Sequence, residues 1–154
     1  MTLASPDPAE AVRLLAADLH APQATGRSFR RPEVVEAAAT EVVNAIREAA
    51  PDVILTWDAL DDAVLAHVVA RQLAIQTVLV HEPQEGIVEL FPTLAPGSRV
   101  VLLAASFDRT NTIRSAASLV GHRGGLLVAI VSLVPASIAD EEVPAGTPYI
   151  VLAG

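Results

Sequence analysis

Val100-Val101-Leu102-Leu103-Ala104-Ala105-Ser106-Phe107-Asp108-Arg109-Thr110-Asn111-Thr112-Ile113-Arg114-Ser115-Ala116-Ala117 is the stretch whose reading decides the fold. Val100 to Leu103 are continuously apolar, the mark of a strand buried on both faces in a parallel sheet. A small polar loop follows. Ile113, Ala116, Ala117 and Val120 then recur at helical spacing, with Gly121 as a stop signal. A strand that runs through a polar loop into a helix N-terminus presents free backbone N–H groups and is a common anion site. Thr110-Asn111-Thr112 cap that helix and lie beside Arg109 and Arg114, so they are candidates for holding a phosphate or sulfate. Asp108 sits in the same loop and works against a highly charged anion.

The same alternation extends outward in both directions. Ala9, Val12, Leu15, Ala16 and Leu19 predict a first helix capped by Asp7 or Ser5. His20 to Arg31 is an irregular connection carrying Arg27, Arg30 and Arg31, either a solvated basic cluster facing acidic neighbours or, as the lesser reading, an anion-binding arm. Pro32 opens a second helix, with Val35, Ala38, Ala39, Val42 and Ile46 on its buried stripe. Val53-Ile54-Leu55 is a short buried strand, and Val64, Leu65, Val68, Val69 and Leu73 line the helix after it. Thr77 to Val80 is the next strand. The arm from His81 to Ser98 contains Pro83, Gly86, Pro92, Pro96 and Gly97, and a connection of that length covers a site or makes an interface. Ile87 to Phe91 offer a short extra strand within it. Leu126 to Leu133 is another buried strand and Tyr149 to Leu152 a final one. Strands separated by helices imply an α/β, three-layer, mostly parallel sheet with helices on both faces. Residues 1–154 read as one domain, with 1–31 an N-terminal helix and connection and 81–98 the arm.

Composition removes several classes of function. Of the 154 residues 52% are hydrophobic but only 3% aromatic, so the core is built from Ala, Val, Leu and Ile. No apolar run reaches the ~20 residues of a membrane helix, and the first residues lack a signal-peptide core. A net charge of −8 argues against nucleic acid as a partner. All basic residues other than histidine are arginines, so lysine chemistry is excluded, and the absence of cysteine excludes thiolate metal sites. The composition fits a cytoplasmic protein.

Individual residues narrow the remaining choices. Asp58, Asp61 and Asp62 fall within five positions after the first strand. Asp61 reads as the N-cap of the next helix and Asp62 as a charge favouring its dipole. Together with Asp58 they are also a weak Mg²⁺ or Ca²⁺ candidate. Trp57, the sole tryptophan, is core filler or the wall of a pocket. His81-Glu82 and the other histidines, His20, His67 and His122, show no metal-ligand spacing. Ala105-Ser106-Phe107 lacks the glycine turn of a nucleophile elbow, so a hydrolase is not indicated.

The strand, loop and helix of residues 100–117 resemble the phosphoribosyl-pyrophosphate motif of the type I phosphoribosyltransferases: four apolar residues, an acidic pair, an apolar pair, then a Thr/Gly/Ser-rich turn opening a helix. Asp52 to Leu55 and the helix to Ala74 resemble that family's first strand, pyrophosphate loop and helix. His81-Glu82 stands where its arm begins, and Gly146-Thr147-Pro148-Tyr149-Ile150 resembles the orotate branch. The resemblance covers about residues 50–154. It implies a residual phosphate loop of Ser106, Asp108, Arg109, Thr110, Asn111 and Thr112. It also implies a pyrophosphate-loop position at Thr56, Trp57, Asp58, Asp61 and Asp62. For these two loops to meet, the sheet order must be second, first, third, fourth strand.

The departures from the family share a direction. Ala104 and Ala105 stand where the family has ribose-binding acids, and aspartates replace the small residues of the pyrophosphate loop. Each carboxylate beside a pyrophosphate repels it by ~1–4 kcal/mol, depending on exposure. The arm lacks the family's lysine, with Arg99 and Arg109 the nearest substitutes. The expectation is a phosphoribosyltransferase-fold protein without catalytic residues. It would act by binding, regulation or interaction, as a homodimer and with a phosphate-containing small molecule as ligand. One alternative is a divergent, orotate-like enzyme using phosphoribosyl pyrophosphate and Mg²⁺, in which Asp108 holds the ribose and Arg109 neutralises charge. The other is a small cation-dependent binding module built on Asp58, Asp61 and Asp62.

Overall fold

The computed structural model describes residues 4–21, 27–85, 87–107, 113–136 and 143–154. Helix α1 spans Pro8–His20, and Asp7 caps it by accepting from the backbone N–H groups of Ala9 and Glu10 at 3.1 and 3.2 Å. After a 3₁₀ turn at Ser28–Arg30 comes α2, Pro32–Ile46. Strand β1 is Val53–Trp57, α3 is Leu60–Leu73, β2 is Gln76–Gln84 and β3 is Ile87–Phe91. The rest is β4, Arg99–Ala104; α4, Ile113–His122; β5, Leu126–Ser132; and β6, Tyr149–Val151.

The six strands form one sheet in the order β3-β2-β1-β4-β5-β6. All pairs are parallel except β2 with β3. The expected order of second, first, third and fourth strand is therefore present at its centre, and the switch in direction falls between β1 and β4. There β1 leads on to β2 at one side, and β4 leads on to β5 at the other.

Period-two alternation sorts the strand residues between two cores. Ile54, Val101, Leu103, Ala129 and Val131 face α1, α2 and α3. Leu55, Trp57, Val78, Val80, Leu102, Ala104 and Ile130 face the other side, with Ile113, Ala116 and Val120 of α4. The α1–α2 layer is alanine-rich at its buried positions, including Ala11, Ala16, Ala37, Ala38 and Ala39. Small side chains there let the helices approach closely, which is how a core with few aromatics fills its volume. The expected stripe of Val35, Ala38, Ala39, Val42 and Ile46 is buried.

Three expectations are corrected. The arm His81–Ser98 is regular over about half its length: β2 continues to Gln84 and returns antiparallel as β3, the short extra strand expected at Ile87–Phe91. Helix α4 runs through Gly121 to His122, and the chain turns instead at Gly124, where φ is +73°. Asp61 does not cap α3; Ala59 holds the N-cap with no side-chain bond, and Asp61 lies in the first turn.

Candidate functional site

Ligands of open parallel sheets bind beyond the C-terminal strand ends at the switch in strand order. Here that place is the crevice between the ends of β1 and β4. Their ladder closes at Val53↔Val100, Ile54↔Val101 and Leu55↔Leu102 and goes no further. Beyond it one side chain bridges the strands and another ties α3 to the chain past β4. Thr56, fully buried, donates its Oγ1 hydroxyl to the Leu103 carbonyl at 2.7 Å. Asp62, 8% exposed, accepts from the backbone N–H of Ala105 through Oδ1 at 2.8 Å. Ala104 and Ala105 are themselves buried, one methyl in each core.

The three aspartates do not converge. Asp58 leaves the end of β1, its N–H donating to the Val80 carbonyl at 2.9 Å. Its Oδ2 meets His81 Nδ1 at 2.9 Å, both side chains being about half exposed. Asp61 turns toward the N-terminal layer, where burial pushes its carboxyl above the ordinary value of 3.8; Arg30 pulls it down and Asp18 pushes it up. Asp62 turns inward to Ala105. Among the described residues no group of three His, Asp or Glu side chains is placed to hold a metal ion. The carboxylates expected to form a cation site therefore do not fit a protein-held Mg²⁺ or Ca²⁺.

Trp57 ends β1 on the α4 side, 8% exposed, in the same core as Ala104, Phe107 and Ile113. Its indole Nε1 is buried without a hydrogen-bond partner. Ser106 follows Ala105 at the rim of the crevice and is partly buried. Asp108, Arg109, Thr110, Asn111 and Thr112, the remainder of the expected phosphate loop, lie outside the described residues.

Arg99, considered as a substitute for the arm's lysine, is at the wrong end of the sheet. It opens β4, and its guanidinium donates to the carbonyls of Ala49 and Ala50 at 2.7–3.2 Å. An open cavity of about 590 Å³ lies at that same end, lined by Asp52, Val53, Ile75, Gln76, Leu94 and Ser98 among others.

Two contacts of the site were missed in the sequence. The Asp58–His81 pair follows from the parallel register: Trp57 pairs with Val80, so the next residue of each strand meets its counterpart. The Asp62–Ala105 bond spans 43 residues and leaves no mark in local pattern.

The arrangement is the phosphoribosyltransferase fold. Adenine phosphoribosyltransferase from Leishmania tarentolae superposes with a TM-score of 0.71 at 19% identity, over 97% of this chain and 93% of that one. The adenine phosphoribosyltransferase of Rhodothermus marinus gives 0.69 at 17% identity, over 94% and 98%. Leishmania donovani UMP synthase gives 0.68 at 13% identity, over 96% of this chain and 36% of that one. No protein-family model matches the sequence, and no curated protein is detectably similar to it in sequence. Similarity at these identities defines the fold and does not separate an orotate branch from an adenine branch. No helix among the described residues is long and apolar enough to cross a membrane.

Proposed function

We propose that this chain is a phosphoribosyltransferase-fold binding protein that does not transfer phosphoribosyl groups and takes a singly phosphorylated pentose or nucleotide at the β1–β4 crevice. The observation that supports it is the inward turn of Asp62. A carboxylate of the chain bonds the backbone N–H at the end of β4, just beyond the strand that in the resembling enzymes leads to the ribose-binding acids. Ala104 and Ala105, at the acid positions, are buried, and methyl groups accept no hydrogen bond from a sugar hydroxyl. Asp58, half exposed at the end of β1, puts a carboxylate beside the crevice. That charge tolerates a phosphomonoester better than a pyrophosphate.

The test is direct. The chain is incubated with phosphoribosyl pyrophosphate, Mg²⁺ and adenine or orotate in turn, and nucleotide and pyrophosphate are assayed. Calorimetry with ribose 5-phosphate runs in parallel. The expected result is no turnover, with binding of ribose 5-phosphate. Nucleotide formation overturns the loss of transfer, and failure to bind any phosphorylated pentose overturns the ligand.

A further inference from the structure

The cavity of about 590 Å³ at the start of β1 and β2 lies at the opposite end of the sheet from the β1–β4 crevice. Its volume is in the range that takes a small molecule. Three pieces of chain build it: Asp52 and Val53 at the start of β1, the turn from α3 into β2, and the segment 93–98 that leads into β4. Val53 and Leu94 are buried and, with Ile75, give it an apolar part. Gln76 and Thr93 are exposed and add an amide and a hydroxyl.

The electrostatics of this cavity point one way. Among the described residues Asp52 is the one charged side chain lining it. Asp52 Oδ2 accepts from the Arg99 backbone N–H at 2.9 Å, and the Asp52 N–H donates to the Arg99 carbonyl at 2.8 Å. Those two bonds fix the carboxylate in place and leave Oδ1 for another donor. Helix α3 ends at Leu73, and the two residues after it, Ala74 and Ile75, also line the cavity. The C-terminal end of a helix carries roughly half a negative charge and favours a cation. The same end of the sheet already holds one cation on carbonyl oxygens: the Arg99 guanidinium donates to Ala49 and Ala50. Arg99 is engaged there and is not among the residues lining the cavity. An anion such as a sugar phosphate would meet both Asp52 and the helix end with repulsion.

We propose that this cavity is a second binding site, for a small organic cation: an amine, amidine or guanidine carried on an apolar body. Its N–H groups donate to Asp52 Oδ1, a charge-assisted bond. The end of α3 adds to the attraction, and the apolar body lies against Val53, Ile75 and Leu94. The site is independent of the ligand proposed for the crevice.

The experiment titrates benzamidinium and butylammonium into the unaltered chain, with benzamide as the uncharged counterpart, and follows the backbone amide resonances. The expected result is saturable shifts at Ile75, Gln76 and Thr93, with Thr56 and Ala105 at the other end of the sheet unmoved. Benzamide binds roughly tenfold or more weakly than benzamidinium, and so does benzamidinium to Asp52→Asn, which keeps an oxygen for the Arg99 N–H but loses the charge. Equal affinities for benzamide and benzamidinium overturn the choice of a cation. An unchanged affinity in Asp52→Asn overturns the role of the carboxylate. Shifts centred on Ala105 overturn the location, and no saturable shift with either cation overturns the site. If Asp52→Asn fails to fold, the comparison of benzamidinium with benzamide on the unaltered chain still decides.

Discussion

Asp62, in the first turn of α3, and Ala105, one residue past β4, are joined by a buried 2.8 Å hydrogen bond in which a side-chain carboxylate takes a backbone N–H. It ties α3 to the chain just past β4, while Thr56 Oγ1 on the Leu103 carbonyl joins β1 to β4 beyond the end of their ladder. Hydrogen bonds to charged groups are worth about 1.5–3 kcal/mol. At ~2–4 °C per kcal/mol for a domain of this size, Asp62→Ala lowers Tm by roughly 3–12 °C in a thermal melt. Asp62→Asn, which keeps an oxygen acceptor, loses less. Thr56→Val, of nearly the same shape, costs about 1 kcal/mol. A melt in which Asp62→Ala and Asp62→Asn behave alike would mean that the Ala105 contact contributes nothing.

Asp61 gives a pH signature of defined sign. Its folded-state pKa is raised, so the folded chain holds the proton more tightly than the unfolded one, and stability falls as pH rises from 3.8 through the folded value. The charged form is penalised at neutral pH first by burial, then by Asp18, with Arg30 opposing. Asp61→Asn therefore raises the denaturant midpoint at pH 7 and leaves it unchanged at about pH 3. A stabilisation of the same size at both pH values would remove the titration as its cause.

Two helices end on left-handed alanines. Ala74 closes α3 with φ at +56°, and Ala50 follows the 3₁₀ turn after α2 with φ at +47°. A residue with a Cβ loses roughly 1–2 kcal/mol there, while glycine gives back ~0.4–1 kcal/mol through unfolded-state entropy. Ala74→Gly is expected to stabilise by about 0.5–1 kcal/mol, read as a rise in urea midpoint with unchanged slope. A destabilisation would show that the alanine methyl has packing value exceeding its strain.

The edge strand β3 exposes Ile87 and Phe91, at 47% and 73%, on the same side of the hairpin. Pairing with a second copy would cover them, so sedimentation is expected to give a dimer, and Phe91→Glu a monomer. A monomer for the unaltered chain would leave the hairpin free for another role.

Much of the sheet was legible because Val100–Leu103 and Val53–Leu55 are apolar runs of the kind a doubly covered strand carries, and both are buried throughout; Thr77–Val80 reads the same way although Thr77 and Leu79 are only partly buried. The hairpin was harder. Pro83 lacks an N–H for the ladder and reads as loop, yet β2 tolerates it where the β2–β3 register shifts between His81 and Gln84. Gly121 reads as a stop, but α4 continues past it to Gly124, which supplies the positive φ. The carboxylate cluster was misread for a different reason. Sequence spacing places Asp58, Asp61 and Asp62 near one another but gives no direction: Asp58 meets His81, Asp62 accepts from Ala105, and Asp61 sits in the field of Arg30 and Asp18.

The central position of β1 sets the order of assembly. Its partners β2 and β4 arrive later in the chain, the second more than forty residues on. During synthesis β1, α3 and the hairpin emerge with one flank of β1 unpaired and its apolar residues uncovered. Contacts that distant in sequence slow folding, and such intermediates are prone to aggregate. The crevice comes into being only when β4 docks, so fragments ending before Arg99 are expected to be sticky and unable to bind ligand.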